Sequence, residues 1–163
     1  MSKVIALCGK LCSGKTHYCR MLREQTNAVI LSTDEIFFDL FHHQEGLRHD
    51  EILEDIKKYL HKKALEITEA GCDVILDWGL WSSGERQAIR SFYRSHGVEF
   101  QLNYIDISDS DWQRNLTERN HAVQQGLSSD YYVDEGLLRK MNALFETPSR
   151  EEIDVWYHFR RNP

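Results

Sequence analysis

Residues Gly9-Lys10-Leu11-Cys12-Ser13-Gly14-Lys15-Thr16 follow the spacing G-x-x-x-x-G-K-[ST], directly after the apolar run Val4–Cys8. Holding an oligophosphate takes many N–H donors at close range. A side chain at position 9 or 14 would block that approach, so glycine is the residue expected there. The loop's backbone N–H groups and the N-terminus of the following helix form an anion cradle. Lys15 adds a mobile positive charge for the outer phosphates, and the Thr16 hydroxyl is a ligand for Mg²⁺. A chance glycine turn would need neither the strand before it nor the helix after it. The reading is a nucleotide phosphate site.

Further along, Ser32-Thr33-Asp34-Glu35 ends a second apolar segment. A carboxylate at Asp34 is suited to taking a hydroxyl proton during attack on phosphorus. Ser32-x-x-Glu35 is equally a capping-box pattern, in which Asp34 would only favour the helix dipole. Asp77 ends the segment Val74–Leu76 and reads either as a Mg²⁺-shell ligand or as a cap. In the stretch from Trp112, residues Trp112, Leu116, Arg119 and Val123 share one stripe at ~100° per residue, which turns Arg119 towards the protein body. Arg119 and Arg114 are candidates to neutralise charge on a transferring phosphoryl group. The alternatives are an internal salt bridge for Arg119 and solvent for Arg114. Trp78 and Trp81 flank Gly79 and are either packed or available to stack on a planar or sugar-like acceptor. Arg86 and Arg90, a turn apart, would hold an acceptor group or pair with acidic neighbours. Cys12 lies inside the glycine loop, as a filler or as an oxidisable thiol. Asp106, Asp109 and Asp111 fit a helix start better than a calcium loop.

The elements that must place these groups alternate. Strands are expected at Val4–Cys8, Ala28–Leu31, Val74–Asp77, Val98–Ile107 and Asp154–Phe159. Helices are expected near 15–24, 35–41, 50–70, 83–97, 109–125 and 129–145, the fourth with Ala88-Ile89 and Phe92-Tyr93 on its buried face. Strands alternating with helices imply right-handed crossovers and a parallel sheet covered on both faces. In such a sheet ligands gather at the carboxyl ends of the strands, where the glycine loop, Asp34 and Asp77 all fall.

Composition narrows the rest. The chain has 163 residues, 41% hydrophobic and 28% charged with two prolines, the profile of one folded α/β domain over 1–163 without disulfide staples. Twenty Lys+Arg stand against 26 Asp+Glu, a net charge of −6, which argues against a nucleic-acid backbone as the main partner. No segment approaches the ~20 apolar residues of a membrane span, and no secretory leader is visible. Four cysteines without C-x-x-C spacing fit reduced thiols and a cytoplasmic location. The adjacent His42-His43 would lie on different helix faces, so they do not suggest a shared metal.

The loop Gly9–Thr16, Ser32-Thr33-Asp34, the Val74–Asp77 strand, Arg114…Arg119 and Phe145-Glu146-Thr147-Pro148 together resemble the small P-loop kinases that include zeta-toxin-like kinases, chloramphenicol phosphotransferase and phage polynucleotide kinase. The sequence looks closest to the AAA_33-type ATP-binding proteins. That resemblance implies a P-loop NTPase fold with a five-stranded parallel sheet of order 2-3-1-4-5 and a small helical lid at about 109–127. It also implies Asp34 as general base, Asp77 near Mg²⁺, and the stretch with Thr147 and Pro148 near the adenine. One departure stands out. Several relatives carry D-x-x-R after the base to hold an acidic group, and here Phe37 takes the arginine's place, which suggests a less anionic acceptor.

The expectation is therefore an ATP- and Mg²⁺-dependent kinase acting on a small-molecule hydroxyl, with Gly9 to Thr16 and Arg119 on the nucleotide and Trp78, Trp81 and Arg86 on the acceptor side. Two alternatives remain: a nucleotide-dependent ATPase or binding module without an acceptor, and a kinase for nucleic-acid 5′-hydroxyls.

Overall fold

The structure, a computed structural model, describes residues 2–41, 48–128 and 130–160. His42, His43 and Gly46, and the expected helix start at Ser129, lie outside the described residues. The strands are β1 (Lys3–Cys8), β2 (Val29–Ser32), β3 (Val74–Asp77), β4 (Glu99–Ile107) and β5 (Val155–Phe159). Between them run α1 (Lys15–Gln25), α2 (Thr33–Phe41), α3 (His49–Glu69), α4 (Ser83–Ser95), α5 (Asp109–Gln124) and α6 (Glu135–Leu144). All pairings are parallel and the strand order is β2-β3-β1-β4-β5, the order expected.

β1 is continuously apolar because both faces of it are covered. Val4, Ala6 and Cys8 join Val74, Leu76, Leu102 and Tyr104 under α3 and α4, which contribute Ile56, Leu60, Ala64, Ile89 and Tyr93. Ile5 and Leu7 join Ile75 and Ile105 on the other face, closed by Tyr18 and Cys19 of α1. Because every strand runs the same way, Cys8, Ser32 and Asp77 end at one edge of the sheet. Among the described residues no helix is long and apolar enough to cross a membrane.

Three local readings change. Helix α2 begins at Thr33, where Ser32 Oγ accepts the Glu35 N–H at 3.3 Å, so Asp34 sits in a first helical turn. Helix α6 begins at Glu135 instead of near 129, because the Asp134 carboxylate caps it by accepting the Leu137 N–H at 2.7 Å. The residues before that cap are held extended along α5: Asn120 donates to Val133 O and accepts from Val133 N–H, both at 2.8 Å. On α4, Ala88 faces solvent, and the helix buries Arg86, Ile89 and Tyr93.

Candidate active site

The turn from β1 into α1 has the form a phosphate cradle needs. A Cβ on Gly9 would fall 2.5 Å from Ser13 Oγ, and one on Gly14 would fall 2.7 Å from the Phe159 ring, so neither position admits a side chain. Gly14 also has φ +93°, a left-handed conformation natural only to glycine. As N-cap of α1 it provides no side-chain acceptor, which leaves the helix's first N–H groups for an anion. Ser13 Oγ, within the same loop, is a buried polar atom without a hydrogen-bond partner among the described residues. These features fit a bound oligophosphate.

Lys15 is folded back on its own loop, its Nζ donating to Gly9 O at 2.9 Å and Lys10 O at 3.0 Å. Burial lowers the proton affinity of this ammonium, and the charge of Asp77 is the strongest influence holding it up. Asp77, at the end of β3, accepts a hydrogen bond from Thr16, the second residue of α1. Its carboxyl is pushed above the usual range by burial, against the pull of Lys15 and with Asp34 adding to the upward push. One hydroxyl and one carboxylate form a sparse, hard oxygen set of the kind that holds Mg²⁺ together with phosphate and water. Among the described residues no three His, Cys, Asp or Glu side chains are grouped to bind a metal alone. A groove of about 690 Å³ opens beside this pair, between Arg20 and Arg23 of α1 and Ile30 and Ser32 of β2.

Asp34 is open to solvent at its rim yet crowded by protein. Burial pushes its carboxyl up, Arg119 pulls it down, Asp130 pushes it up, and Lys15 and His49 pull it down. Asp34, Asp77, Lys15 and Arg119 thus share one electrostatic cluster at the carboxyl edge of the sheet. Arg119 is held there by Nε donating to Tyr131 O at 3.2 Å, with Nη1 3.9 Å from Cys12 Sγ and Nη2 3.8 Å from Asp130 Oδ1. The Cys12 thiol is pushed up by burial, with Arg119 pulling the other way.

Other expected site residues fall elsewhere. Arg114 lies on α5 with its side chain exposed. Trp78 is only 5% exposed and meets His61 edge-on inside the core, so it presents no face to an acceptor. Arg86, 2% exposed, is likewise no substrate clamp. It pairs with Glu152 at 3.3 Å and donates to the carbonyls of Leu80, Trp81 and Glu146. Arg90 pairs with Asp154 at 2.7 Å. Trp81 is half-buried, its ring 5.3 Å from Lys15 Nζ. Arg86 ties the segment with Thr147 and buried Pro148 to the loop at Leu80 and Trp81 through Glu146 O, and Glu146 N–H donates to Trp81 O at 2.8 Å.

The structure adds residues that motif reading did not find. From α5, Trp112 and Asn115 donate to the phosphate loop at Leu11 O and Cys12 O. Tyr131 OH hydrogen-bonds His49 Nε2 at 2.8 Å, and the His49 ring meets buried Phe37 edge-on at 4.6 Å, forming an aromatic wall on the Asp34 side. The stripe holding Trp112 and Arg119 hinted at the first contact. Nothing in the sequence links His49 to Tyr131, 82 residues apart.

A five-stranded parallel sheet in this order, with a glycine loop feeding α1 and carboxylates at its carboxyl edge, defines a P-loop kinase-like fold. The AAA_33 family, described as an AAA domain, matches residues 4–148, and the chain belongs to that family. A search of curated proteins found no match. Solved structures with this fold include an unliganded sugar kinase from Janibacter sp. HTCC2649, with TM-score 0.66, 14% identity, and 99% of this chain and 88% of that chain covered. The APS kinase of Mycobacterium tuberculosis, in complex with AMPPNP and APS, gives 0.65 and 15%, covering 99% and 90%. Chaetomium thermophilum Kti12, in complex with ADP-AlF3, gives 0.70 and 16%, covering 96% and 88%.

Proposed function

We propose that this chain, acting as one domain over residues 1–163, is an ATP-dependent phosphotransferase that moves the γ-phosphoryl group to a hydroxyl of a small molecule. The observation that carries the reading is the shared cluster of Asp34, Lys15, Asp77 and Arg119 beside a glycine loop that excludes side chains. The loop from Gly9 to Thr16 binds the phosphates, with the 145–149 segment on the adenine side. Thr16 and Asp77 would hold Mg²⁺, which would supply charge neutralisation for the phosphates. Lys15 exchanges its loop carbonyls for phosphate oxygens. Arg119, on a lid spanning about 109–127, steadies the equatorial oxygens of the transferring group.

Asp34 accepts the proton of the acceptor hydroxyl as that oxygen bonds to the γ-phosphorus. The bond from the γ-phosphorus to the bridging oxygen breaks, and ADP leaves with its electron pair. A carboxyl with raised proton affinity is the better base for this step. Phe37, standing where relatives carry an arginine, is buried against His49 and Phe41, which favours an acceptor without a strongly anionic group at that wall. Four free cysteines, two of them buried, suit a reducing cytoplasmic setting.

The test is phosphoryl transfer from ATP to a panel of alcohols, with Lys15→Ala and Asp34→Asn in parallel. Product is expected with at least one alcohol, lost in both variants, with ATP still bound by Asp34→Asn. Firm ATP binding with no product from any alcohol would instead mark a nucleotide-dependent binding module.

A further inference from the structure

The tip of the phosphate loop is built on a conformation its own residue disfavours. Ser13 N–H donates to Lys10 O at 3.1 Å and closes the four-residue turn Lys10–Ser13. Cys12, the third residue of that turn, has φ +60°, while Leu11, the second, is not left-handed. That combination is the mark of a type II turn, whose third residue is ordinarily glycine. A residue with a Cβ resists the left-handed region. A type I turn would return Cys12 to negative φ, and it differs by reversal of the peptide joining the second and third residues.

That peptide, Leu11–Cys12, is the one held from outside. Trp112 Nε1 donates to Leu11 O at 2.6 Å, and Asn115 Nδ2 donates to the next carbonyl, Cys12 O, at 3.0 Å. The two donors are three residues apart on one face of α5. Lys10 binds the same helix, 3.3 Å from Asp109 and 4.3 Å from the centre of the Trp112 ring. In a trans peptide C=O and N–H point opposite ways, so a Leu11 carbonyl held towards α5 turns the Cys12 N–H away from it.

We propose that Trp112 and Asn115 are positioning residues for nucleotide binding, holding the Lys10–Ser13 turn in its type II form and so keeping the Cys12 N–H available to a phosphate. Without them the turn relaxes to the form Cys12 prefers, and a carbonyl replaces the donor. The proposal rests on the nucleotide-binding reading above.

The test is a double-mutant cycle. Trp112→Phe and Asn115→Ala are each made alone and with Cys12→Gly, and MgATP affinity is measured by calorimetry. NMR three-bond couplings report the φ of residue 12 in nucleotide-free protein. Each single variant is expected to weaken MgATP roughly 5- to 30-fold, the factor that corresponds to one or two kcal/mol, and to lose the positive φ. Glycine at position 12 restores most of that affinity, because it occupies the left-handed region freely. An unchanged affinity in Trp112→Phe, or an equal loss in the glycine background, overturns the proposal. If wild-type protein bound no MgATP while Trp112→Phe still lost the positive φ, the nucleotide reading would fall and control of the turn would stand.

Discussion

The Lys15 ammonium lies 5.3 Å from the centre of the Trp81 ring, while it donates hydrogen bonds to two carbonyls of its own loop. This is a resting arrangement, because a lysine that meets phosphate must leave both partners. The Trp81 indole should therefore change its surroundings when nucleotide binds. Tryptophan fluorescence is expected to shift on adding MgATP, and Trp81→Phe should remove most of the signal although three other tryptophans remain. The cation–π contact itself is worth ~0.5–2 kcal/mol, so Trp81→Leu should alter ATP affinity by no more than about thirtyfold. Lys15→Ala should cost far more. A full signal in Trp81→Phe would assign it to another tryptophan, such as Trp112, which donates to the phosphate loop, and overturn this reading of Trp81.

Much of this site was legible because its parts are local. The loop Gly9–Thr16 is contiguous, and its two glycines answer to contacts with Ser13 and Phe159 that a Cβ would violate. Asp77 was legible as the polar end of an apolar strand, since a parallel sheet brings strand ends to one edge. Asp34 was placed on the correct edge, but its seat in the first turn of α2 depended on whether the Ser32-x-x-Glu35 cap formed. Arg86 had two readings, an acceptor clamp or an acidic pair, and its acidic partner is Glu152, 66 residues away. Its burial is explained by Glu152 and three carbonyls, from segments that are distant in sequence except for the 80–81 loop. The His49–Tyr131 wall left no periodic trace, because tertiary packing alone joins them.

The raised proton affinity of Asp34 sets a sign for pH dependence. The base must be ionised to accept a proton, so transfer should rise with pH through a midpoint above the ~3.9 of a free aspartate. Stability runs the other way. A carboxyl whose folded value is raised contributes stability that is present below its unfolded value and lost as pH rises through the folded one. At neutral pH, Asp34→Asn should therefore abolish transfer while holding or raising the melting temperature of nucleotide-free protein. A lowered melting temperature would show that Asp34 is mainly a structural cap for α2.

Thr16 and Asp77 give a prediction specific to magnesium. Their hydrogen bond joins the start of α1 to the end of β3, and among the described residues no three His, Cys, Asp or Glu side chains are grouped to bind a metal alone. Thr16→Val and Asp77→Asn should each make ATP affinity nearly the same with Mg²⁺ as with a chelator. Wild-type protein should bind more tightly by about tenfold or more when Mg²⁺ is present, a 1.4 kcal/mol effect. Calorimetry under both conditions decides it. If Asp77→Asn kept the full magnesium enhancement, the ion would have to be held elsewhere.

Arg86 carries the most direct test of the scaffold. It is 2% exposed and joins the end of β1, the loop at Leu80 and Trp81, the Glu146 carbonyl and the Glu152 carboxylate. Removing one partner of a buried pair typically costs about 3–5 kcal/mol. At roughly 2–4 °C per kcal/mol for a chain of this size, Arg86→Met should melt about 6–20 °C below wild type at pH 7. The pH dependence separates the ion pair from the carbonyl bonds. Burial pushes the Glu152 carboxyl up, but the Ser149 N–H, the Ser83 hydroxyl and Arg86 together hold it below its usual range. Its contribution is therefore present above the unfolded value of ~4.3 and is lost as pH falls through the folded value. Arg86→Met removes part of that depression, so the gap in melting temperature should narrow as pH drops below about 4.3. A gap that stayed constant down to pH ~3 would assign the whole effect of Arg86 to the carbonyls of Leu80, Trp81 and Glu146, with none to the charge of Glu152.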